Sequence, residues 1–204
     1  MAPTPGTGHY FDADPSVPSR ERRIDLVLPD VTVHLTTDRG VFAAAAVDPG
    51  TKTLLLDGPP LGAAATTVLD LGCGYGPIAL TLASRAPTAT VWAVDTNRRA
   101  VDLCARNAAA NRITNVRACA PDDVPDDVAF DEIWSNPPVR IGKDALHELL
   151  RRWLARLTPD GRAVLVVQRH LGSDSLAAWL TADGWPATRL SSRTGYRVLE
   201  VRRP

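Results

Sequence analysis

Val68-Leu69-Asp70-Leu71-Gly72-Cys73-Gly74-Tyr75-Gly76-Pro77-Ile78-Ala79-Leu80 is the stretch whose reading decides the fold. The first four residues read as a buried strand. Three glycines at alternate positions then turn the chain. Pro77 opens a helix that runs over 76–85, at a position where a missing N–H costs nothing. Strand, glycine turn and helix form the start of a βα unit. In an open α/β sheet the ligand lies at the carboxyl ends of the strands. Gly72 and Gly74 lack a Cβ, so backbone can approach a ligand there, and the helix presents its N-terminus to it. The spacing is G-x-G-x-G rather than the G-x-G-x-x-G of nicotinamide sites. The loop points to a nucleotide-like cofactor.

Downstream the pattern repeats. Thr90 to Val94 is a second strand ending at Asp95, a carboxylate roughly 20 residues past the loop, which suits a ribose diol. Asn97 reads as the N-cap of a helix through Ala110. A third strand, Asn115 to Cys119, leads into Pro121-Asp122-Asp123, where Asp122 could accept from an adenine amino group. Asp70, just before the glycines, is a candidate contact for a methionine amino group. Turns attract Asp for plainer reasons, so Asp95 as a helix cap and Asp122 as a solvated charge stand as alternatives. Phe130 to Ser135 is a fourth strand. From 143 to 157, Leu146, Leu149, Leu150, Trp153, Leu154 and Leu157 share one helical face. Pro159-Asp160-Gly161 reads as a turn into the all-apolar strand Ala163 to Val167. A helix over 173–182 and an antiparallel pair, 188–190 with 195–201, complete the chain. Alternating strands and helices predict an α/β fold with a doubly wound, mostly parallel sheet.

Ahead of this unit, over 61–204, residues 1–60 form an extension. Val31 to Leu35 alternates, Thr37 to Gly40 supplies turn chemistry, and Val41 to Val47 returns, which predicts a β-hairpin. Asp48-Pro49-Gly50-Thr51 is a turn that starts a short helix through Leu56.

The chain has 204 residues, 45% hydrophobic and 23% charged, enough apolar material for one large core. Zero formal net charge argues against binding nucleic acid by bulk charge. Lys52 and Lys143 are the only lysines, so nearly all cations are arginines, which suit phosphates and stack on bases; a genomic bias toward Arg and Ala codons explains the shortage of lysine at least as well. Three cysteines without a C-x-x-C pair argue against a disulfide framework or zinc site, and no metal is expected. The first residues lack the basic start and apolar run of a signal peptide. No stretch approaches the roughly 20 apolar residues of a membrane helix. The expected location is the cytoplasm.

Asn136-Pro137-Pro138-Val139 follows the fourth strand. A proline pair there cannot donate to a ladder and fixes φ twice. That rigid turn can aim the Asn136 side-chain oxygen and the Pro137 carbonyl at one point. Two convergent acceptors suit an exocyclic NH2 group. With the glycine loop, they point to methylation of an amino nitrogen with S-adenosylmethionine. His147, on the next helix, reads as a surface residue rather than a base.

These segments resemble the "methyltransferase small" family of class I S-adenosylmethionine-dependent methyltransferases, which includes RsmC-type ribosomal RNA guanine-N2 methyltransferases. The resemblance is carried by His9-Tyr10-Phe11, DRGVF at 38–42, VDPGTKTLL at 47–55 and VLDLGCGYGPIAL at 68–80. Further along it is carried by VDTNRRAVDLCARNAAAN at 94–111, SNPPVRIGK at 135–143, VVQ at 166–168 and GYRVLE at 195–200. It implies a seven-stranded sheet with the last strand antiparallel. Asp70, Gly72, Gly74, Asp95 and Asp122 would line the cofactor, with Gly50 and Thr51 as further candidates. Asn136, Pro137 and Pro138 would hold the target amine. Arg140 and Lys143 are placed to take phosphates of an RNA substrate, ribosomal RNA or a ribosomal subunit, or else are ordinary surface charge. Many amino methyltransferases carry an aromatic residue after Asn-Pro-Pro, and here it is Val139. Tyr10 or Phe11 would then stack on the base, or else pack the N-terminal segment. RsmC-type enzymes carry a second, degenerate domain in front. Without one, substrate selection falls to this domain, to a homodimer partner, or to both. A protein glutamine or a small-molecule amine remains an alternative substrate, and a non-catalytic module that binds S-adenosylmethionine or RNA is a third reading.

Overall fold

The computed structural model describes residues 16–204. The glycine stretch forms the expected unit. β3 (Thr67–Leu71) enters the loop, and α2 (Pro77–Arg85) leaves it. β4 (Thr90–Val94), α3 (Arg98–Ala110), β5 (Val116–Cys119), β6 (Phe130–Ser135), α4 (Lys143–Leu154), β7 (Leu157–Gln168), α5 (Ser173–Ala182), β8 (Ala187–Arg193) and β9 (Tyr196–Arg202) follow. They build one seven-stranded sheet of order β5-β4-β3-β6-β7-β9-β8. The ladders from β5 through β7 are parallel, and β9 runs antiparallel between β7 and β8. The reversal between β3 and β6 is the switch point where such folds bind ligands.

Both sheet faces are covered, which is why β3, β4 and the second half of β7 are buried on successive residues, and apolar there except at Asp70 and the strand ends. One core joins Val68, Val91 and Val164 to Leu54, Leu82 and Leu103 of α1 (Pro49–Asp57), α2 and α3. The other joins Leu69, Ile133 and Leu165 to Leu150, Trp153 and Leu180 of α4 and α5. At the amino end of the sheet, the buried Glu132 carboxylate accepts from Gly62 N, Trp134 Nε1 and Arg162 Nη2 at 2.7–2.8 Å.

Three sequence expectations change. The hairpin does not pair 31–35 with 41–47. Its strands are β1 (Arg22–Val27) and β2 (Thr32–Thr37), closed by Leu28 N donating to Val31 O. Residues 41–47 form turns, and carbonyls at the start of the segment are drawn elsewhere: Gly40 O accepts from Asn97 Nδ2 at 2.7 Å, and Tyr75 Oη faces Ala43 O. The helix expected to 157 ends at Leu154, and Leu157 already belongs to β7. Pro159-Asp160-Gly161 is not a turn before the strand but a bulge within it: Phe130 faces Leu157 and Glu132 faces Arg162.

The hairpin is fastened to α3 by two asparagines. Asn107 Oδ1 accepts from Thr36 N at 2.7 Å, and its Nδ2 donates to Thr36 O and to Tyr75 O at 2.8 Å. Asn111 Oδ1 accepts from His34 N at 3.0 Å, and its Nδ2 donates to His34 O at 2.6 Å.

Candidate active site

The site is built where β3 and β6 end side by side. Ser135 Oγ, at the last residue of β6, donates to Leu71 O at 2.7 Å, so Gly72 and Asn136 leave a bonded pair of strand ends. Gly72 N and Cys73 N donate to Val94 O at 2.8 and 3.0 Å, tying the loop to the end of β4 as well. A cavity of about 660 Å³ opens over these ends, within the usual size of a cofactor or substrate site.

Gly72 and Gly74 line the cavity with φ of +77° and +54°, and a Cβ built on either would meet nothing within 4 Å. The loop thus offers bare backbone to open space. Gly76 serves packing instead: a Cβ there would come within 2.7 Å of Leu80 Cδ1 and 2.8 Å of Cys104 Sγ. Asp95 lines the cavity, its carboxylate accepting from Gly74 N and Asn97 N at 2.9 Å, and burial pushes its pKa up. Val94, Ala100 and Pro121 add apolar wall. An adenosyl group with a ribose diol and a methionine tail fits this donor set: glycine backbone left bare, a ribose-type carboxylate, and an apolar slot.

Asn136, Pro137, Pro138, Val139 and Arg140 line the other side. The proline pair leads into a 3₁₀ turn, Val139–Ile141, that sets α4 beneath the cavity. Pro137 O accepts from Val139 N at 2.8 Å, which leaves one lone pair for a ligand. The Asn136 carboxamide nitrogen donates to Asp48 Oδ2 at 2.8 Å and to Thr51 Oγ1 at 3.1 Å.

Gly50 and Thr51 do not line the cavity, and three further expected residues stand apart from it. Asp70 is fully buried beneath the loop, where its Oδ2 accepts from Ala79 N at 2.9 Å and its Oδ1 has no partner. It caps α2 from below, since the N-cap Gly76 has no side chain to do so. Burial pushes its pKa up to about 8 despite the Ala79 N–H, and Asp95 adds to the rise. Asp122 is 91% exposed and bonds Arg152 Nη2 at 3.1 Å; its neighbour Pro121 lines the cavity. Lys143 is exposed at the start of α4. Tyr10 and Phe11 lie outside the described residues. His147 stacks on Trp179 at 3.6 Å, off the cavity.

Other lining residues were not singled out from the sequence. Asp48 looked like turn chemistry; the signal was its place before Pro49, at an N-cap. Phe42, 40% exposed at the mouth, sat inside a supposed strand. Arg152 and Tyr196 also line the wall.

A doubly wound sheet whose last strand is antiparallel, with a bare glycine turn and an Asn-Pro-Pro corner on one cavity, is the architecture of a class I methyltransferase. Residues 32–200 match the methyltransferase small domain, and the chain belongs to that family. It is an S-adenosylmethionine-dependent methyltransferase, as membership in this class entails. It is 33% identical over 198 residues to the uncharacterized protein YbxB of Bacillus subtilis, covering 96% of this chain and 98% of that one. It is also 33% identical to ribosomal RNA small subunit methyltransferase C of Hahella chejuensis, over 82% of this chain and 48% of the relative. The chain therefore spans about half the length of that methyltransferase. Among solved structures, the T. thermophilus 16S rRNA N2 G1207 methyltransferase (RsmC), in complex with AdoMet and guanosine, matches with a TM-score of 0.74. The two are 26% identical, over 93% of this chain and 52% of that one. Among the described residues, no helix is long and apolar enough to cross a membrane.

Proposed function

We propose that this methyltransferase acts on an exocyclic amine, the N2 of a guanine in ribosomal RNA. One observation carries the reading: the Asn136 carboxamide shares a cavity with the bare Gly72–Gly74 turn and Asp95. The names of the ribosomal RNA relatives favour RNA over other amines, and the guanosine in the T. thermophilus neighbour favours guanine.

S-adenosylmethionine, when bound, supplies a methyl group on a positively charged sulfur. Asp95 would hold the ribose hydroxyls, the Gly72 and Gly74 backbone the methionine part, and Val94, Ala100 and Pro121 the adenine. On the substrate side, Asn136 Oδ1 and Pro137 O accept the two N–H bonds of the amine. A guanine amine is a poor nucleophile because its lone pair is delocalised into the ring. Two acceptors below its plane favour a pyramidal nitrogen and turn the lone pair toward the cofactor side of the cavity. The contribution is positioning. The alkylated amine is acidic and sheds its proton afterward to water, so no strong base is needed.

A base in structured RNA has to leave its stack to reach such a cavity. Phe42, at the mouth, supplies the aromatic face that Val139 does not. Arg140 and Arg152 on the rim, with Lys143 nearby, meet phosphates. The reading implies a cytoplasmic enzyme whose partner is RNA or a ribosomal subunit.

The test is methyl transfer from radiolabelled S-adenosylmethionine to total RNA, ribosomal subunits, total protein and a metabolite extract, side by side. Label recovered as N2-methylguanosine supports the reading; label in protein or metabolites with RNA blank overturns it. Asn136→Ala is expected to abolish transfer while cofactor binding stays near normal. Unchanged turnover in that variant refutes the role of the Asn-Pro-Pro corner.

A further inference from the structure

A carboxamide can present either end to a ligand. Its oxygen accepts and its NH2 group donates, and the two ends have nearly the same shape. For Asn136 the difference is decisive. An NH2 turned toward the target amine would set donors against donors and leave the nitrogen lone pair in the ring.

The surroundings of Asn136 fix the choice. Its nitrogen lies 2.8 Å from Asp48 Oδ2 and 3.1 Å from Thr51 Oγ1. The Thr51 hydroxyl could serve either orientation, because it both donates and accepts. An ionised carboxylate only accepts. A flipped carboxamide would place oxygen against oxygen at Asp48, so Asp48 is the discriminating partner. Its carboxylate is itself held. Oδ2 also accepts from Thr51 N at 3.0 Å as the cap of α1. A Cβ on Gly50 would come within 2.8 Å of Asp48 Oδ2 and 2.7 Å of Tyr196 Cε1, so the carboxylate and the ring crowd the same turn.

We propose that Asp48 is a positioning residue of the transfer site: its carboxylate locks the Asn136 carboxamide with the oxygen toward the target amine. The charge also polarises the carboxamide, since hydrogen bonds in a chain strengthen one another, and makes Oδ1 a better acceptor. The proposal rests on the reading of Asn136 as amine acceptor. It reaches across 88 residues of sequence to join the start of α1 to the end of β6.

Asp48 also caps a helix, and the test separates the two roles. Serine at 48 can accept from Thr51 N but is too short to reach Asn136. Asparagine presents an acceptor oxygen where Oδ2 stands. The assay is kcat on the RNA that accepts label, at saturating cofactor, with the cofactor Kd measured by calorimetry. Asp48→Ser and Asp48→Ala are both expected to lose ~10–100-fold in kcat, the scale of a misplaced contact. Their cofactor Kd is expected to stay within about threefold, and Asp48→Asn to recover most of the rate. Exchange of the Asn136 side-chain NH2 protons, followed by NMR, gives a readout independent of turnover. It is expected to be slowed in the wild type and Asp48→Asn, and fast in Asp48→Ser. A serine variant as fast as the wild type reduces Asp48 to a helix cap and overturns the proposal, while the amine reading stands. Full activity in Asn136→Ala overturns the amine reading instead.

Discussion

Asp70 should give the protein an unusual dependence of stability on pH. Its carboxyl is fully buried, with one oxygen on Ala79 N and the other without a partner, and its pKa stands at about 8. An unfolded chain returns it to about 4. Between those values the folded protein holds a proton that the unfolded chain has released. Stability therefore falls as pH rises through that window, by about 1.4 kcal/mol per pH unit for this one group. Its contribution is fully present below pH ~4, and the loss is complete above pH ~8. Across the whole window the change is on the order of 5 kcal/mol, an upper limit that relaxation and entering water reduce. Most acidic side chains do the opposite. Asp70→Asn removes the titration and keeps an oxygen for Ala79 N. Urea unfolding of both proteins at half-unit steps from pH 5 to 9, without cofactor, isolates Asp70 and the groups coupled to it, Asp95 foremost, because groups that do not interact with Asp70 cancel in the difference. The variant is expected to gain on the wild type steadily to pH 8 and then hold. A difference that stays flat from pH 5 to 9 refutes the account of Asp70 as a neutral buried cap.

The glycine loop predicts a separation of stability from binding. Gly76→Ala combines a φ of +97° with contacts at 2.7 and 2.8 Å, so it should cost about 2–4 kcal/mol in denaturant unfolding. Gly74→Ala, with open space around its Cβ, should cost only about 1 kcal/mol but intrude on the cofactor, which calorimetry would read as a Kd raised tenfold or more. Arg162→Ala strands the buried Glu132 and is expected to destabilise by about 3 kcal/mol; Arg162→Ala with Glu132→Gln should recover much of that in the same assay.

The parts of this structure that were legible in the sequence are those governed by local periodicity. The βα unit around Gly72, the helix face of Leu146 to Leu154 and the Asn-Pro-Pro corner follow from apolar spacing and from residues that restrict φ. The sequence points to the wrong partner for the hairpin strand because Val41 to Val47 is apolar enough for a strand. Only the tertiary claims on Gly40 O and Ala43 O decide against it. The bulge at Pro159-Asp160-Gly161 was read as a turn for a similar reason: its residues favour turns, and the partner strand that absorbs them is distant in sequence. Asp70 and Asp122 show the limit on site residues. A carboxylate next to a glycine loop has the right chemistry, but burial under α2 in one case and exposure beside Arg152 in the other depend on packing. Asp48 was missed because a capping residue and a ligand-positioning residue look the same until the partner arrives from β6.

The asparagine pair on α3 behaves as a ruler. One helical turn plus a fraction, from 107 to 111, advances ~6 Å, and two residues of a strand, from Thr36 back to His34, advance ~6.6 Å. The helix surface can therefore imitate a neighbouring strand and read β2 by backbone alone. Two results follow for the history of this segment. The exposed side chains of the hairpin are free to diverge as long as its backbone holds step with the ruler and Leu26, Val33 and Leu35 stay in the core, whereas an inserted residue between His34 and Thr36 puts the rungs out of step. The edge of β2 that would otherwise invite a foreign strand is also already occupied, so the helix guards the hairpin against aggregation while it holds the hairpin in place.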